Sequence, residues 1–141
     1  MRCDEVRDKI IELVESIEPD SQVSSEDVFQ VHDFDTPARD RAFRLDRVSP
    51  QAPAVEMMTG LGSGADPYEV AFDLSVVYVE GPGSTKRRLQ DGDKVVDQLR
   101  ALVAEQQIRT ISISPGSEIL DSGGLWFVNW GITVTYDRRD Q

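Results

Sequence analysis

At 141 residues the chain suits one domain, which on folding buries roughly two thirds of the surface its unfolded form exposes. Its 39% hydrophobic and 29% charged content points to neither disorder nor membrane insertion, and no apolar run approaches the roughly 20 residues of a spanning helix. A formal charge of −11, from 15 Lys and Arg against 26 Asp and Glu, argues against nucleic acid as a primary ligand, because phosphate binding depends on neutralisation by basic side chains.

The opening Met1-Arg2-Cys3-Asp4-Glu5 runs directly into a charged amphipathic pattern, with neither the apolar middle nor the small-residue cleavage site of a secretory signal. The expectation is a soluble chain that is intracellular when made. Its one cysteine, Cys3, cannot form an intrachain disulfide. Val6, Ile10, Leu13, Val14 and Ile17 fall on one helical stripe, with Asp4 and Glu5 at the positive end and Pro19 as the stop. Val28 to Phe34 and Ala42 to Val48 read as short strands, with Phe29, Val31, Phe43 and Leu45 facing the core.

From Ser49 to Pro67 the chain carries three prolines and three glycines, which reads as a long flexible loop. Met57, Met58 and Leu61 lie in it and have little core of their own to enter. The loop is therefore a candidate contact arm that orders on assembly. Tyr68 to Val79 then alternates over twelve residues, the signature of a half-buried antiparallel strand. Gly81-Pro82-Gly83 ends it, and Lys86, Arg87 and Arg88 are expected on the connection to a second helix. That helix carries Leu89, Val95, Val96, Leu99, Leu102 and Val103 at helical spacing, with Asp91 or Asp93 as its cap. Ile111 and Ile113 mark a short strand ending at Pro115-Gly116, and Asp121-Ser122-Gly123-Gly124 supplies a turn. In the last stretch Trp126, Val128, Trp130, Ile132, Val134 and Tyr136 share one face, and Phe127, Asn129, Gly131, Thr133 and Thr135 the other.

The fold class expected is α+β, an antiparallel or mixed β-sheet packed by two helices in the order α-β-β-β-α-β-β, as one domain over 1–141. No catalytic residues, metal ligands or cofactor are assigned. His32, the only histidine, sits beside Asp33 and Asp35, but one histidine is too few for a zinc or phosphohydrolase centre. Gly60-Leu61-Gly62-Ser63-Gly64 precedes Asp66-Pro67 and a strand, whereas a dinucleotide loop must enter a helix. Gly81 to Lys86 lacks the order of a phosphate loop, and no serine has a histidine to activate it. Lys86, Arg87 and Arg88 form the one basic cluster in an acidic chain, either a solvated face or a patch for acidic surface on a neighbour. The expected interface set is Met57, Met58, Leu61, Lys86, Arg87 and Arg88. Trp126 and Trp130 are read as core, from their shared phase with Val128, Ile132 and Val134.

With its opening helix Val6 to Ile17, central strand Tyr68 to Tyr78, second helix around Val95-Val96-Asp97-Gln98-Leu99 and closing Trp126 to Tyr136, the chain resembles a known family. These are the tail terminator and tail-completion proteins of tailed bacteriophages, similar to the lambda minor tail protein U group. The likeness is one of layout over nearly the whole chain, and it has no catalytic signature to match. It implies a hexameric ring of identical subunits that caps the tail tube, stops its polymerisation and presents a head-joining surface. The implied partners are other copies of the chain, the tail tube protein and a head-tail connector protein. DNA only passes through the lumen, no membrane is involved, and the implied location is the virion tail, assembled in the host cytoplasm. The competing readings are another connector component, a monomeric adaptor or inhibitor of a host protein, and a metal-dependent enzyme using His32, Asp33 and Asp35.

Overall fold

A computed structural model of the chain describes residues 1–20, 27–32, 39–54 and 66–138. Helix α1 spans Cys3–Glu15, and Val6, Ile10 and Val14, spaced four apart, are its buried stripe. It ends at Ser16, whose N–H donates to Glu12 O and Leu13 O, three residues before Pro19. Strands β1 (Gln30–Val31), β2 (Ala42–Arg47), β3 (Ala52–Pro53) and β4 (Pro67–Val79) follow. Helix α2 covers Ser84–Arg100 and tightens into a 3₁₀ turn at Ala101–Ala104, after which β5 (Ile108–Leu120) and β6 (Leu125–Asp137) form a long hairpin.

The six strands make one mixed sheet in the order β1-β2-β4-β6-β5, with β3 beside β4 on the flank that β2 also uses. Only the β1/β2 pair is parallel; the others are antiparallel. The fold class is thus α+β, as the patterning indicates. Period-two alternation sorts the faces. Val70, Phe72, Leu74, Val76 and Tyr78 of β4 pair in register with Val134, Ile132, Trp130, Val128 and Trp126 of β6. With Phe43 and Leu45 they form the core that α1 and α2 cover. Each fully buried aliphatic or Phe side chain there contributes about 1.5–3 kcal/mol.

Several boundaries differ from expectation, each for a local reason. The first strand is two residues rather than Val28 to Phe34; residues 33 and 34 lie outside the described residues. The stretch from Ser49 to Pro67 is not all loop. Ala52 and Pro53 pair with Glu69 and Tyr68, and Ala54, buried, donates its N–H to Pro67 O at 3.0 Å. Pro53 is tolerated because it lies on a flank where it need donate nothing. The strand begun by Ile111 and Ile113 does not stop at Pro115-Gly116 but continues to Leu120 through a register shift between Pro115 and Glu118. A Cβ on Gly116 would lie 2.8 Å from Asn129 O, so only glycine lets the bulged strand approach β6 so closely.

Helix α2 starts earlier than expected, at Ser84, behind Gly83 in the left-handed region (φ 81°). Its buried positions are Ser84, Arg87, Asp91, Val95 and Leu99. Leu89 and Val103, read from the sequence as core-facing, are exposed. Asp91 is no cap: it lies mid-helix and buried.

Candidate functional site

The six residues expected at an interface divide into two groups. Met57, Met58 and Leu61 lie outside the described residues. Lys86, Arg87 and Arg88 stand in the first turns of α2, not on the preceding connection, and helical geometry sends them three ways. Lys86 is exposed. Arg87 points inward and is 6% exposed; its Nη2 lies 3.3 Å from Asp40 Oδ2, and its Nη1 donates to Pro82 O at 3.3 Å. The Arg88 Cζ lies over the Trp126 ring, 4.0 Å from its centroid, and its Nε donates to Glu118 Oε1 at 3.2 Å. Two of the three cations are thus engaged within the chain, and the cluster does not form one surface patch.

Behind Arg87 lies a buried ionic network that hydrophobic patterning does not reveal. Arg41, in the turn just before β2, is fully buried and has φ 66°. Its Nε and Nη2 meet the Asp91 carboxylate at 2.6 and 3.2 Å, and its Nη1 lies 2.7 Å from Asp27 Oδ2. Tyr78 Oη donates to Asp91 Oδ2 at 2.6 Å. Burial alone would lower the guanidinium pKa of Arg41, but Asp91 and then Asp27 outweigh it and hold the group more firmly protonated than usual. Burial, reinforced by Asp91, pushes the Tyr78 hydroxyl well above the ordinary tyrosine range. Asp40 bridges outward, accepting the Val79 N–H at 2.8 Å while pairing with Arg87. The network ties Asp27, Asp40 and Arg41 to β4 and to α2. Each of its charges is paired inside the chain, the pattern of a structural network.

His32 follows β1, its N–H donating to Phe43 O at 2.9 Å, beside a shallow cavity of ≈ 230 Å³ lined by Gln30, Val31, Arg39 and Ala42. Asp33 and Asp35 lie outside the described residues. Among the described residues no three His, Cys, Asp or Glu side chains converge as a metal site, and no helix is long and apolar enough to cross a membrane.

What remains is surface. The end of the sheet where β5 turns into β6 exposes Ile119 by 54% and Leu120 by 45%, and Leu89 of α2 is exposed by 70%. The Arg88 contacts with Glu118 and Trp126 bring the first turns of α2 to this same end. The turn is built to hold its shape. Asp121 Oδ1 accepts the N–H groups of Gly123 and Leu125 at 2.9 and 2.8 Å, and Gly124 has φ 81°. Glu80 accepts Trp126 Nε1–H at 2.6 Å, and this bond, with those from Ser84 and Gly81, lowers its carboxyl pKa. The sheet face away from the helices is polar along its middle, with Ser112 and Ser114, Asn129 and Thr133, and Asp73 opposite Asp46, and turns apolar towards the β5–β6 turn, where Val77, Phe127 and Ile119 lie side by side. Partial burial and the Asp46 charge raise the Asp73 carboxyl pKa.

Trp126 and Trp130 are partly buried against the core, Trp130 within 3.5 Å of where a Cβ on Gly92 would stand. Neither a protein-family profile nor a curated protein matches this sequence. Fold and surface carry the functional reading alone.

Proposed function

We propose that this chain is a structural subunit that works by assembly: a ring-forming cap of the tail-terminator kind, which binds the end of a tail tube, halts its growth and offers a joining surface to the head. The observation that supports this reading is the end of the sheet where β5 meets β6: Ile119 and Leu120 stand exposed on the two faces beside a turn fixed by Asp121 and Glu80, and Leu89 is exposed on α2, whose first turns reach this end. Exposed apolar side chains on rigid backbone are what a protein-protein contact uses, since little ordering entropy remains to be lost on binding. A ring arises from heterologous contacts, one patch of a subunit meeting a different patch of the next, with closure set by the rotation. The charge of −11 suits a lumen that DNA must traverse without being gripped.

Co-sedimentation with preformed tail tubes tests the reading. The wild-type chain is expected to pellet with tubes and to appear as rings at their ends in electron micrographs. The triple variant Leu89→Ser, Ile119→Ser, Leu120→Ser should stay in the supernatant while melting like wild type. A wild-type chain that never sediments with tubes would rule the reading out.

A further inference from the structure

The two edges of the sheet differ. At one edge β1 is two residues long, and Val31 N–H donates to a Glu15 carboxylate oxygen of α1 at 3.3 Å, so a side chain already occupies the outer backbone. At the other, β5 runs for 13 residues, and among the described residues no strand pairs its outer side. Register shifts at Ile108/Thr110 and Pro115/Glu118 confine the regular part to residues 110–115. Edge strands are ordinarily guarded by charge, by proline or by shortness. Here Arg109 and Pro115 stand at the two ends of the regular part, and Thr110-Ile111-Ser112-Ile113-Ser114 between them carries no charge.

We infer that this edge pairs with the same edge of a second copy of the chain, antiparallel about a two-fold axis at Ser112. Three observations identify the occupant. First, among the described residues β5 is the one strand of more than two residues with no strand on its outer side; β3 offers only Ala52–Pro53, and beyond β1 the side chain of Arg7 donates to Leu45 O of β2 at 3.2 Å, so pairing of the long edge with its copy is isologous and closes at two. Second, the segment is self-complementary. The axis sets Ile111 opposite Ile113 of the second copy, Thr110 opposite Ser114 and Ser112 opposite Ser112, and every side chain keeps its own face because the paired positions have equal parity. A two-fold axis through a residue pair is allowed whether or not that pair exchanges hydrogen bonds. Third, two chains of charge −11 meet with least repulsion along an uncharged strand.

Ile111 and Ile113, only partly buried on the helix-covered face, gain the cover that β5 lacks on its outer side. The contact goes beyond the ring reading. A two-fold closes on itself and cannot build a ring, so it joins subunits, or whole rings, in pairs. It is short, and the pair is therefore concentration-dependent.

Sedimentation equilibrium on wild type, Ser112→Lys, Ser112→Asp and an equimolar mixture of the two variants tests it. Wild type is expected to show a reversible dimer of the 15.8 kDa chain. Each variant alone places like charges directly opposite and should raise the dissociation constant about tenfold or more. The mixture should recover the dimer as a heterodimer. Lysine reduces the net negative charge, so a general charge effect would strengthen association where the local clash weakens it. Ser112 is exposed, so unchanged melting verifies folding, and Ser112→Thr should leave the dimer intact. A wild type that stays monomeric, a Ser112→Lys dimer as tight as wild type, or a mixture no tighter than its components would each overturn the inference. So would a monomeric wild type that takes up an extended foreign peptide along β5. Rings that cap tubes equally well with Ser112→Lys, with no wild-type dimer, would remove this pair and leave the ring standing; a dimer that never sediments with tubes would do the reverse.

Discussion

Arg41 combines a left-handed backbone, of the kind that costs a non-glycine residue about 1–2 kcal/mol, with a fully buried guanidinium. Both persist because Asp91 and Asp27 neutralise the charge and because Arg41 N–H donates to Val77 O at 2.7 Å. Removing one partner of a buried pair leaves an uncompensated charge, so Asp91→Ala is expected to destabilise the fold by about 3–5 kcal/mol in denaturant titration. Tyr78→Phe, which removes one donor to that carboxylate, should cost about 1.5–3 kcal/mol. The raised Tyr78 pKa also sets a sign. The folded state favours the neutral phenol, so stability is fully present below the ordinary tyrosine pKa of about 10 and falls as pH rises beyond it. Absorbance at 295 nm should show one tyrosine that ionises only as the protein unfolds.

Asp73 gives the acidic counterpart. Its carboxyl pKa is raised by partial burial and by Asp46 directly opposite, so folding favours the protonated form and stability is lost as pH climbs through that raised value. Asp73→Asn should stabilise the fold near neutral pH by about 0.2–1 kcal/mol, towards the low end because Asp46 is exposed and solvent screens the pair. A thermal melt at pH 7 compared with one at pH 4 checks the sign, since the gain should shrink at the lower pH.

At the scale of elements, apolar periodicity locates both helices and the two long central strands, because β4 alternates from Val70 to Val76 and β6 carries Val128, Trp130, Ile132, Val134 and Tyr136 at every second position. It failed on α2 for a physical reason. Three of the five inward positions are the polar Ser84, Arg87 and Asp91: Asp91 meets Arg41 and Tyr78, Arg87 meets Asp40, and Ser84 donates to Glu80. No count of apolar residues can find such partners, and Leu89, Val96 and Val103, which helical spacing groups with the core, lie off its phase. The one local sign was Asp91, standing four before Val95 and eight before Leu99. Leu99→Ala is accordingly expected to cost about 2–5 kcal/mol, while Leu89→Ala should stay within about 0.5 kcal/mol of wild type. The end of β5 was misplaced because Pro115-Gly116 has the chemistry of a turn yet here builds a bulge. Gly116→Ala should destabilise by about 1–3 kcal/mol, through the contact its Cβ would make with Asn129 O.

Among the described residues the whole molecule is a mixed sheet with one face covered by two helices, a short guarded edge at β1, a long open edge at β5 and a braced end with exposed apolar side chains. The basic cluster that drew notice in the sequence is largely consumed inside the fold. Leu89, Ile119, Leu120 and the uncharged β5 segment take its place as contact surface, and each belongs to an element whose exposure depends on its neighbours rather than on its own pattern. Self-association of so acidic a chain should strengthen with added salt, because screening weakens the long-range repulsion between copies and leaves apolar contacts intact. The length distribution of tail tubes polymerised with and without the chain, scored in electron micrographs, tests the capping role most directly. Tubes that stop growing once the chain is added, with a ring at the arrested end, are the expected result; tubes that lengthen at the same rate with bare ends would contradict it.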